Sequence, residues 1–332
     1  MYNIDFVIPW VDGNDVAWQK EKNKYMSKER NEGNAENRFR DWNNLKYWFR
    51  AVEKYAPWVN KVYLITWGHI PNWLNMNHSK LKIVKHEDFI PQEYLPTFNS
   101  CVIELNLWRI RDLSEYFVLF NDDVFLNDYV EKEYFFEKGK PKDMFALATT
   151  YVNTPDEVYG HIMLNDIGII NHHFDKRETF KSNWKKWFNL HYGSKNIMTA
   201  CLLPFKYFCG FYSYHLAYPY LKSVFKKVWD QEPEAFDKMM YNKFREWSNL
   251  SPLAIRAWNL CEGNFIPAHR TMKGYFDVGN NNIQEICDYI RKKKSKIICI
   301  NDCSGDFNFE NAVQKINEAF SSVLPQKSSY EL

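Results

Sequence analysis

The chain has 332 residues, and its 43 basic and 41 acidic side chains give a formal net charge of +2. This balance argues against a nucleic-acid partner, because nucleic-acid-binding proteins concentrate a basic excess on one face. Aromatic residues make up 18% of the chain, a content that suits a packed core, a sugar-stacking surface or a membrane interface. The length favours one elaborated catalytic domain over residues 1–332.

The first third of the chain alternates between strand and helix patterns. Apolar runs predict strands at residues 4–10, 61–66, 81–84 and 116–120, and helical spacing of apolar residues predicts helices at 43–55 and 102–111. Asn99 or Ser100 is expected to cap the second helix. This alternation predicts an α/β fold built on a mostly parallel, doubly wound sheet of Rossmann-like or GT-A-like type.

The middle of the chain has a different pattern. Residues 129–209 are rich in Tyr, Phe, Trp and Lys and show weak periodicity, which predicts an aromatic-rich helical insertion or subdomain within the catalytic domain. Further helices are expected at 214–228 and 233–246, and a strand at 296–300 and a helix at 311–320 complete the chain.

The seven cysteines are scattered, without a CxxC pair or the spacing of a zinc site, which favours free thiols in a reducing compartment. The N-terminus reads as a strand containing Asp5 and lacks the basic and apolar regions of a signal peptide. No apolar run approaches the roughly 18 residues needed to cross a bilayer. We therefore expect a cytoplasmic protein, with any membrane contact being peripheral.

Three predicted strands run into acidic turns, which contain Asp12 and Asp15, Asp122 and Asp123, and Asp302. In open α/β sheets ligands bind outside the carboxyl ends of strands, so these carboxylates are expected to converge and to bind Mg²⁺ or Mn²⁺ with a diphosphate. The alternative for any single aspartate is a helix cap or a turn. The adjacent pair favours a cation, because neighbouring like charges are costly unless a cation or hydrogen-bond donors offset them.

His215 and Arg245 have the chemistry that phosphoryl transfer requires. The arginine fork binds phosphate oxygens, and a histidine accepts a proton near neutral pH. Residue types alone leave open that His215 is a packed, hydrogen-bonded side chain on an aromatic helix. The chain contains no P-loop and no GxGxxG motif, so kinases and dinucleotide-binding enzymes find no support.

Four motifs follow one another along the chain. They are IDFVIPWVDGND at residues 4–15; a run beginning RFRDWNNLKYWF at residue 38 and continuing to LPTFNS at 95–100 and LSEYFVLFNDDVFL at 113–126; a His and Arg region from 215 to 245; and CIND at 299–302. Together they cover about half of the chain. In this order they resemble the conserved regions of the Stealth proteins, bacterial capsule hexose-phosphate transferases related to the animal N-acetylglucosamine-1-phosphotransferase.

The resemblance implies a transfer of hexose 1-phosphate or N-acetylhexosamine 1-phosphate from a UDP-sugar to a hydroxyl of a glycan acceptor, with release of UMP. It implies that the catalytic residues are His215, Arg245, Asp302 and Asp12. The donor is expected to contact Trp10, Asp12, Gly13, Arg40, Asp41 and Asn121, and the cation to contact Asp122, Asp123 and Asp302. The product would be a phosphodiester in a bacterial capsular or cell-surface polysaccharide.

Several alternatives stay open at this point. Either His215 or Asp302 accepts the proton of the acceptor hydroxyl. Arg40 and Asp41 fix either the first helix or the nucleotide. A metal-dependent GT-A glycosyltransferase would use the same acidic pair and release UDP, and a non-catalytic carbohydrate-binding module is supported only by the aromatic content.

Residues 180–190 interleave Trp and Phe with Lys over about three helical turns. A helix of this composition can lie in a membrane interface, with lysines drawn to anionic lipid. That position would bring the site to a lipid-linked acceptor, which is what the family resemblance implies. The alternative is that these aromatic side chains pack on the catalytic core. In either case Trp184, Trp187 and Phe188 are predicted to share one face.

Overall fold

The computed structural model describes residues 2–26, 39–302 and 307–332, which form an α/β fold, as the sequence predicts. The strands are β1 (Ile4–Pro9), β2 (Val62–Thr66), β3 (Leu81–Lys85), β4 (Tyr116–Leu119), β5 (Val124–Leu126), β6 (Phe136–Glu137), β7 (Lys140–Asp143), β8 (Tyr218–Leu221), β9 (Ile266–Pro267), β10 (Tyr275–Asp277) and β11 (Ile297–Asn301). The helices are α1 (Val16–Tyr25), α2 (Leu45–Tyr55), α3 (Ser100–Leu105), α4 (Val158–His173), α5 (Lys176–Trp187), α6 (Lys195–Leu202), α7 (Lys222–Gln231), α8 (Pro233–Met240), α9 (Pro252–Cys261), α10 (Ile283–Arg291) and α11 (Phe309–Val323).

The main sheet has the strand order β3-β2-β1-β4-β8. The first four strands are parallel to one another, and β8 runs antiparallel to β4. The predicted mostly parallel sheet is therefore present, whereas its assignment to a doubly wound GT-A-like type stays a prediction. The strand order reverses between β1 and β4, and such a reversal leaves a crevice at the carboxyl ends of the two strands.

A second sheet, of order β10-β11-β5, holds the last strand that the sequence predicts. Strand β11 is parallel to β10 and antiparallel to β5, which directly follows the acidic turn at the end of β4. The amide of Ile300 donates to the carbonyl of Asp123 (2.9 Å). The C-terminal strand is thus fixed beside the acidic turn, although more than half of the chain separates the two in sequence.

The predicted helix over residues 214–228 is wrong in its first half, where the chain forms β8. Pro219 explains the difference, because proline lacks an amide proton and is tolerated in the last strand of a sheet but not inside a helix. His215 accordingly precedes a strand and does not lie on a helix.

Two other helices end earlier than predicted. Helix α3 ends at Leu105, where the side-chain amide of Asn106 donates to the carbonyl of Val102 (2.9 Å). Helix α8 ends at Met240, so Arg245 lies in the loop that follows. Asparagine side chains offer the backbone partners other than those of a helix, and apolar spacing does not reveal this competition.

Residues 129–209 contain β6, β7 and the helices α4, α5 and α6. The apolar side chains of these elements belong to the same core as those of the main sheet. Asp143 at the end of β7 forms a buried ion pair with Arg256 of α9, through contacts of 2.7 and 2.8 Å. The predicted helices of this segment are present, and its status as an insertion stays a prediction.

The prediction that Trp184, Trp187 and Phe188 share one face is wrong for Trp187. Trp187 is fully buried and packs against Phe145 and Phe208, whereas Trp184 is 55% exposed. The helix is kinked at residue 183, and this kink changes the direction in which the last turn presents its side chains. Among the described helices none combines the length and the apolarity that crossing a membrane requires.

Six of the seven cysteines are free thiols, as expected. The seventh, Cys303, lies outside the described residues, as does Arg38 at the start of the second motif.

The buried carboxyl of Asp166 is expected to make the protein less stable as the pH rises. It accepts hydrogen bonds from the amide (2.8 Å) and the hydroxyl (2.5 Å) of Ser251, the N-cap of α9. Burial raises the pKa of this carboxyl from 3.8 to about 8. The folded protein therefore holds the proton more tightly than the unfolded chain, and the free energy of unfolding falls between about pH 4 and about pH 8.

The substitution Asp166→Asn keeps both hydrogen bonds, because its amide group can donate to the Ser251 hydroxyl. In urea unfolding at pH 5 and pH 8 the wild type should lose at least about 1 kcal/mol more than this variant. The matched control is Asp156→Asn at an exposed carboxylate, which should behave as the wild type does. Equal losses in Asp166→Asn and wild type would contradict the prediction.

Candidate active site

The acidic loop after β1 is held by a neutral histidine. The backbone amide of Asp12 donates to Nε2 of His69 (2.9 Å), and burial lowers the pKa of His69, which keeps the ring in the form that accepts this bond. Trp10 packs edge-on against the same ring. Asp15 accepts from the amide of Trp18 (2.8 Å) and is the N-cap of α1. Of the two aspartates in this turn, only Asp12 thus remains as a site residue.

Gly13 is required by a close approach of two backbone segments. A Cβ atom at this position would lie 1.7 Å from the carbonyl oxygen of Phe39, so only glycine fits. This approach brings the segment after Phe39 against the loop. Burial raises the pKa of the Asp41 carboxyl, its hydrogen bond from the amide of Asn43 (2.8 Å) lowers it, and repulsion from Asp12 raises it further. Asp12 and Asp41, both predicted to contact the donor, therefore lie close together.

Asp302 is held in an ion pair with Arg40. The guanidinium contacts the two carboxylate oxygens at 2.6 and 3.1 Å, and the indole of Trp42 donates to one of them (3.1 Å). The guanidinium also lies over the ring of Phe309, 4.4 Å from its centroid. The pair joins the segment after residue 39 to the end of β11, so the structure brings two predicted site residues together.

Asp122 and Asp123 occupy the turn between β4 and β5. Asp122 retains contact with solvent, yet loss of hydration and repulsion from Asp123 raise the pKa of its carboxyl to about 7. The charge of Asp41 also contributes to this rise, so the segment after Phe39 lies near the turn. Asn121 begins the same turn, where its carbonyl accepts from the amide of Val124 (3.1 Å) and its side chain is exposed.

Asp123 is more enclosed than its neighbour. Its Oδ2 accepts a hydrogen bond from the thiol of Cys299 (3.4 Å), and its buried Oδ1 has no hydrogen-bond partner among the described residues. A buried carboxylate oxygen without a partner is costly. This turn is therefore the part of the site best suited to a cation.

His215 lies in a tight turn that is organised by Tyr218 of β8. The Tyr218 hydroxyl accepts from the amides of Tyr214 and His215, each at 3.0 Å, which leaves its own proton for Ser213 (2.7 Å). These bonds hold His215 at a φ of 44°, a left-handed conformation that is uncommon outside glycine. The imidazole packs edge-on against Tyr275.

Three distant parts of the chain meet beside the acidic turn. Asp123, His215 and Cys299 offer an oxygen, a nitrogen and a sulfur atom that lie within 4.8 Å of one another. The sequence grouped Asp122, Asp123 and Asp302 as cation ligands. The structure brings the first two of these together and places Asp302 in the ion pair described above. Cys299 was recognised in the sequence only as a free thiol, without a role in the site.

Arg245 reaches the first turn of α3. Its Nε (2.9 Å) and its Nη2 both donate to the hydroxyl of Ser100. Asn99, the N-cap of that helix, accepts from the amide of Cys101 and donates to the carbonyl of Phe244 (2.9 Å), which holds the arginine loop in place. Loss of hydration and the charge of Asp123 raise the pKa of the Asp122 carboxyl, and the charge of Arg245 opposes that rise. His215 and Arg245 therefore lie around the same acidic turn.

Glu104 is a site residue that sequence reasoning missed. It lies on α3 near Arg245, and burial raises the pKa of its carboxyl to about 7, against the lowering effect of the arginine. A carboxyl that titrates near neutral pH beside a guanidinium suits proton transfer. The sequence did contain one indication of this position. Glu104 lies four residues after Ser100, and residues at this spacing share a helix face.

Four carboxylates and the guanidinium of Arg245 lie around the acidic turn. Asp12, Asp41, Asp122 and Asp123 would repel a diphosphate unless a cation lay between them. Arg245 offers a planar fork that matches the oxygens of a phosphoryl group. The arrangement therefore suits a diphosphate bound through both a divalent cation and an arginine.

Two protein-family models match the chain. Stealth protein CR1, conserved region 1, matches residues 2–30, and Stealth protein CR2, conserved region 2, matches residues 38–144. The matched regions include the loop after β1, the segment after Phe39, helix α3 and the acidic turn. The resemblance noted at residues 215–245 and 299–302 stays a prediction.

Three similar proteins align over almost their whole length. The capsular polysaccharide phosphotransferase WcwK of Streptococcus pneumoniae is 45% identical, over 100% of this chain and 98% of the relative. The exopolysaccharide phosphotransferase cps2G of Lactiplantibacillus plantarum is 39% identical, over 99% of this chain and 96% of the relative. The receptor polysaccharide phosphotransferase WefC of Streptococcus gordonii is 37% identical, over 99% of each chain.

Proposed function

Because the chain belongs to the Stealth family, whose members include full-length relatives named polysaccharide phosphotransferases, we propose that it transfers a sugar 1-phosphate from a UDP-sugar to a glycan hydroxyl. The sugar is a hexose or an N-acetylhexosamine, and the product is a phosphodiester in a bacterial capsular or cell-surface polysaccharide. The observation that carries this proposal is the convergence of the Asp122–Asp123 turn with His215 and Arg245.

The bonds that change in this reaction define what the site must do. The acceptor oxygen forms a bond to the phosphorus nearer the donor sugar, and the bond from that phosphorus to the bridging oxygen breaks, so that UMP leaves. The anomeric bond of the sugar stays intact. A bound divalent cation, Mg²⁺ or Mn²⁺, would neutralise charge on the diphosphate.

Each part of the site has a task in this proposal. Nε and Nη2 of Arg245 point at Ser100, so the Nη1–Nη2 edge of the guanidinium is assigned to the non-bridging oxygens of the transferred phosphate. His215 or Asp302 accepts the proton of the acceptor hydroxyl. Asp122 and Asp123 hold the cation, and the buried Oδ1 of Asp123, which lacks a hydrogen-bond partner, supports that assignment.

The UDP moiety of the donor is assigned to the loop after β1 and the segment that packs against it. The loop after β1 supplies Trp10, Asp12 and Gly13, and the segment that packs against Gly13 supplies Arg40 and Asp41. Asn121 begins the acidic turn after β4, the strand that pairs with β1, and its exposed side chain would be available to the donor.

A product assay tests the proposal. The full-length protein is incubated with UDP-glucose, UDP-galactose, UDP-N-acetylglucosamine or UDP-N-acetylgalactosamine, Mg²⁺ or Mn²⁺ and a panel of oligosaccharide acceptors, and the nucleotide products are separated. We expect UMP together with a phosphodiester-linked product. Acceptor-dependent UDP would instead identify a GT-A glycosyltransferase, and binding of sugars without either nucleotide would identify a carbohydrate-binding module.

We further propose that the acceptor is lipid-linked and that the protein works at the cytoplasmic face of the membrane. A surface around α5 and α6, here termed the α5–α6 surface, exposes the apolar side chains of Trp184, Phe188, Leu190, Ile197, Met198, Phe205 and Tyr207. From residue 179 to 229 the chain has no Asp or Glu, and several lysines are interspersed among these apolar side chains. This combination suits an anionic lipid surface.

Wild-type protein is expected to co-sediment with anionic vesicles at low salt. The double variant Trp184→Ala with Leu190→Ala removes the two most protruding apolar groups of the first part of this surface, at 55% and 98% exposure. Its vesicle affinity should fall about tenfold or more, because each buried methylene contributes to binding. Met76→Ala, at an exposed apolar residue between β2 and β3, should bind as the wild type does. Wild-type protein that stays in the supernatant would refute membrane docking.

A further inference from the structure

Three side chains of different chemistry are fixed around one point at the acidic turn. Asp123 follows β4, His215 precedes β8 and Cys299 lies on β11, and their ligand atoms fall within 4.8 Å of one another. Cys299 is fully buried on the central strand of the β10-β11-β5 sheet, so its sulfur has little freedom to move. The group therefore consists of side chains held by backbone structure and not of mobile surface groups.

Two observations indicate that hydrogen bonds within the group do not satisfy it. The thiol of Cys299 donates to Oδ2 of Asp123, but Oδ1 is buried and lacks a partner. The turn at His215 adopts a positive φ of 44°, and such strain in a non-glycine residue is typical of functional sites. An ordinary core contact between a thiol and a carboxylate explains neither observation.

The donor atoms determine which ions fit. Carboxylate oxygen alone suits Mg²⁺, whereas imidazole nitrogen and thiolate sulfur favour zinc and neighbouring first-row transition ions. The prediction of Mg²⁺ or Mn²⁺ from the sequence was based on carboxylate oxygens alone.

We infer that Asp123, His215 and Cys299 together bind one divalent transition-metal ion of the Zn²⁺ or Co²⁺ class in preference to Mg²⁺ or Mn²⁺. On binding, the S–H bond of Cys299 is lost and its proton passes to solvent, so that the sulfur binds as thiolate. Only the task of the ion, to neutralise charge on the donor diphosphate, rests on the proposed function. Binding itself requires no substrate.

This assignment changes the part that His215 plays. An imidazole nitrogen that binds a cation cannot also accept the proton of the acceptor hydroxyl. The role of general base then falls to a carboxylate, either Asp302, the other residue that the sequence proposed for it, or Glu104 near Arg245. His215 would act by holding the ion in the position that the strained turn provides.

Cobalt is a suitable probe, because Co²⁺ bound by thiolate absorbs in the near ultraviolet. Purified full-length protein without substrate is titrated with Co²⁺, and the wild type should give this band with one equivalent of metal. Cys299→Ser should lose the band, and His215→Ala should bind Co²⁺ at least about tenfold more weakly, the effect of about 1.4 kcal/mol. Excess Mg²⁺ should not displace the ion.

Matched controls identify the sulfur ligand. Cys287→Ser changes another buried free thiol, on α10, and Cys303→Ser changes the cysteine nearest to the site in sequence. Both should keep the band. Its loss in Cys303→Ser with retention in Cys299→Ser would overturn the inference, as would a wild type without a band.

Each variant is also checked for folding, so that loss of metal binding is not confused with misfolding. Circular dichroism identifies misfolded variants, and a folded His215→Ala that binds Co²⁺ as tightly as the wild type overturns the inference independently of Cys299→Ser. The product assay separates this test from that of the proposed function. A thiolate band together with UDP release supports the metal site and rejects phosphotransfer. UMP release with Mg²⁺ and no band supports phosphotransfer and rejects the metal site.

Discussion

Replacement of Arg245 by lysine is expected to lower kcat by about 10²- to 10³-fold, with a smaller effect on the KM for the UDP-sugar. Lysine keeps the positive charge, so the attraction between the side chain and the acidic turn is largely retained. It lacks the planar fork, and it cannot donate twice to Ser100 as Nε and Nη2 of the arginine do. The loss should therefore appear mainly where phosphoryl geometry matters, in the transition state.

Steady-state rates of UMP release over a range of donor concentrations measure this effect. Arg111→Lys is the matched control, because Arg111 is exposed to solvent, and this variant should have wild-type kinetics. Near-normal turnover by Arg245→Lys would remove Arg245 from the reaction.

The substitution Asp123→Asn is expected to lower kcat by at least about 10³-fold and to remove the dependence of the rate on added cation. The amide has the shape of the carboxylate but neither its charge nor a second acceptor oxygen. The buried Oδ1 without a partner and the sulfur beside Oδ2 show that the carboxylate is enclosed, so water cannot replace a lost ligand. Because Asp122 is adjacent, its pKa should also fall in this variant, since repulsion from Asp123 contributes to raising it.

The rate is measured with increasing Mg²⁺ or Mn²⁺ and again in excess chelator. Asp128→Asn is the control: Asp128 lies beyond β5, where it contacts Lys293 (3.2 Å) at the surface, and its loss should leave kcat unchanged. Full wild-type turnover in chelator, or wild-type turnover by Asp123→Asn, would show that no cation acts through this residue.

The sequence by itself was sufficient for the elements whose signals are local. The sequence predicted six elements to within a few residues: β1, β2, β3 and β4 from their apolar runs, and α2 and α11 from the spacing of their apolar residues. Burial makes apolar residues recur at short, regular intervals within an element, and such a pattern is visible in a short window of sequence. The acidic turns were visible for the same reason, since each directly follows a strand. The order of the motifs was sufficient to indicate the family.

Local patterns were misleading where two signals compete within a few residues. Around His215 the aromatic spacing favours a helix, but Pro219 and pairing with β4 produce a strand. After Met240 the helical spacing continues, yet the side chain of Asn99 binds the loop that carries Arg245. Partners from distant parts of the chain decided both cases, and no window of sequence contains them.

Only the tertiary structure decided which side chains meet. Asp302 pairs with Arg40 across a separation of 262 residues, and Cys299 contacts Asp123 across 176. Spacing in sequence carries no information over such distances, because the path of the chain between two strands depends on the packing of the whole core. The residue types that carry the chemistry were therefore readable from the sequence, whereas their grouping around the acidic turn was set by sheet order and burial.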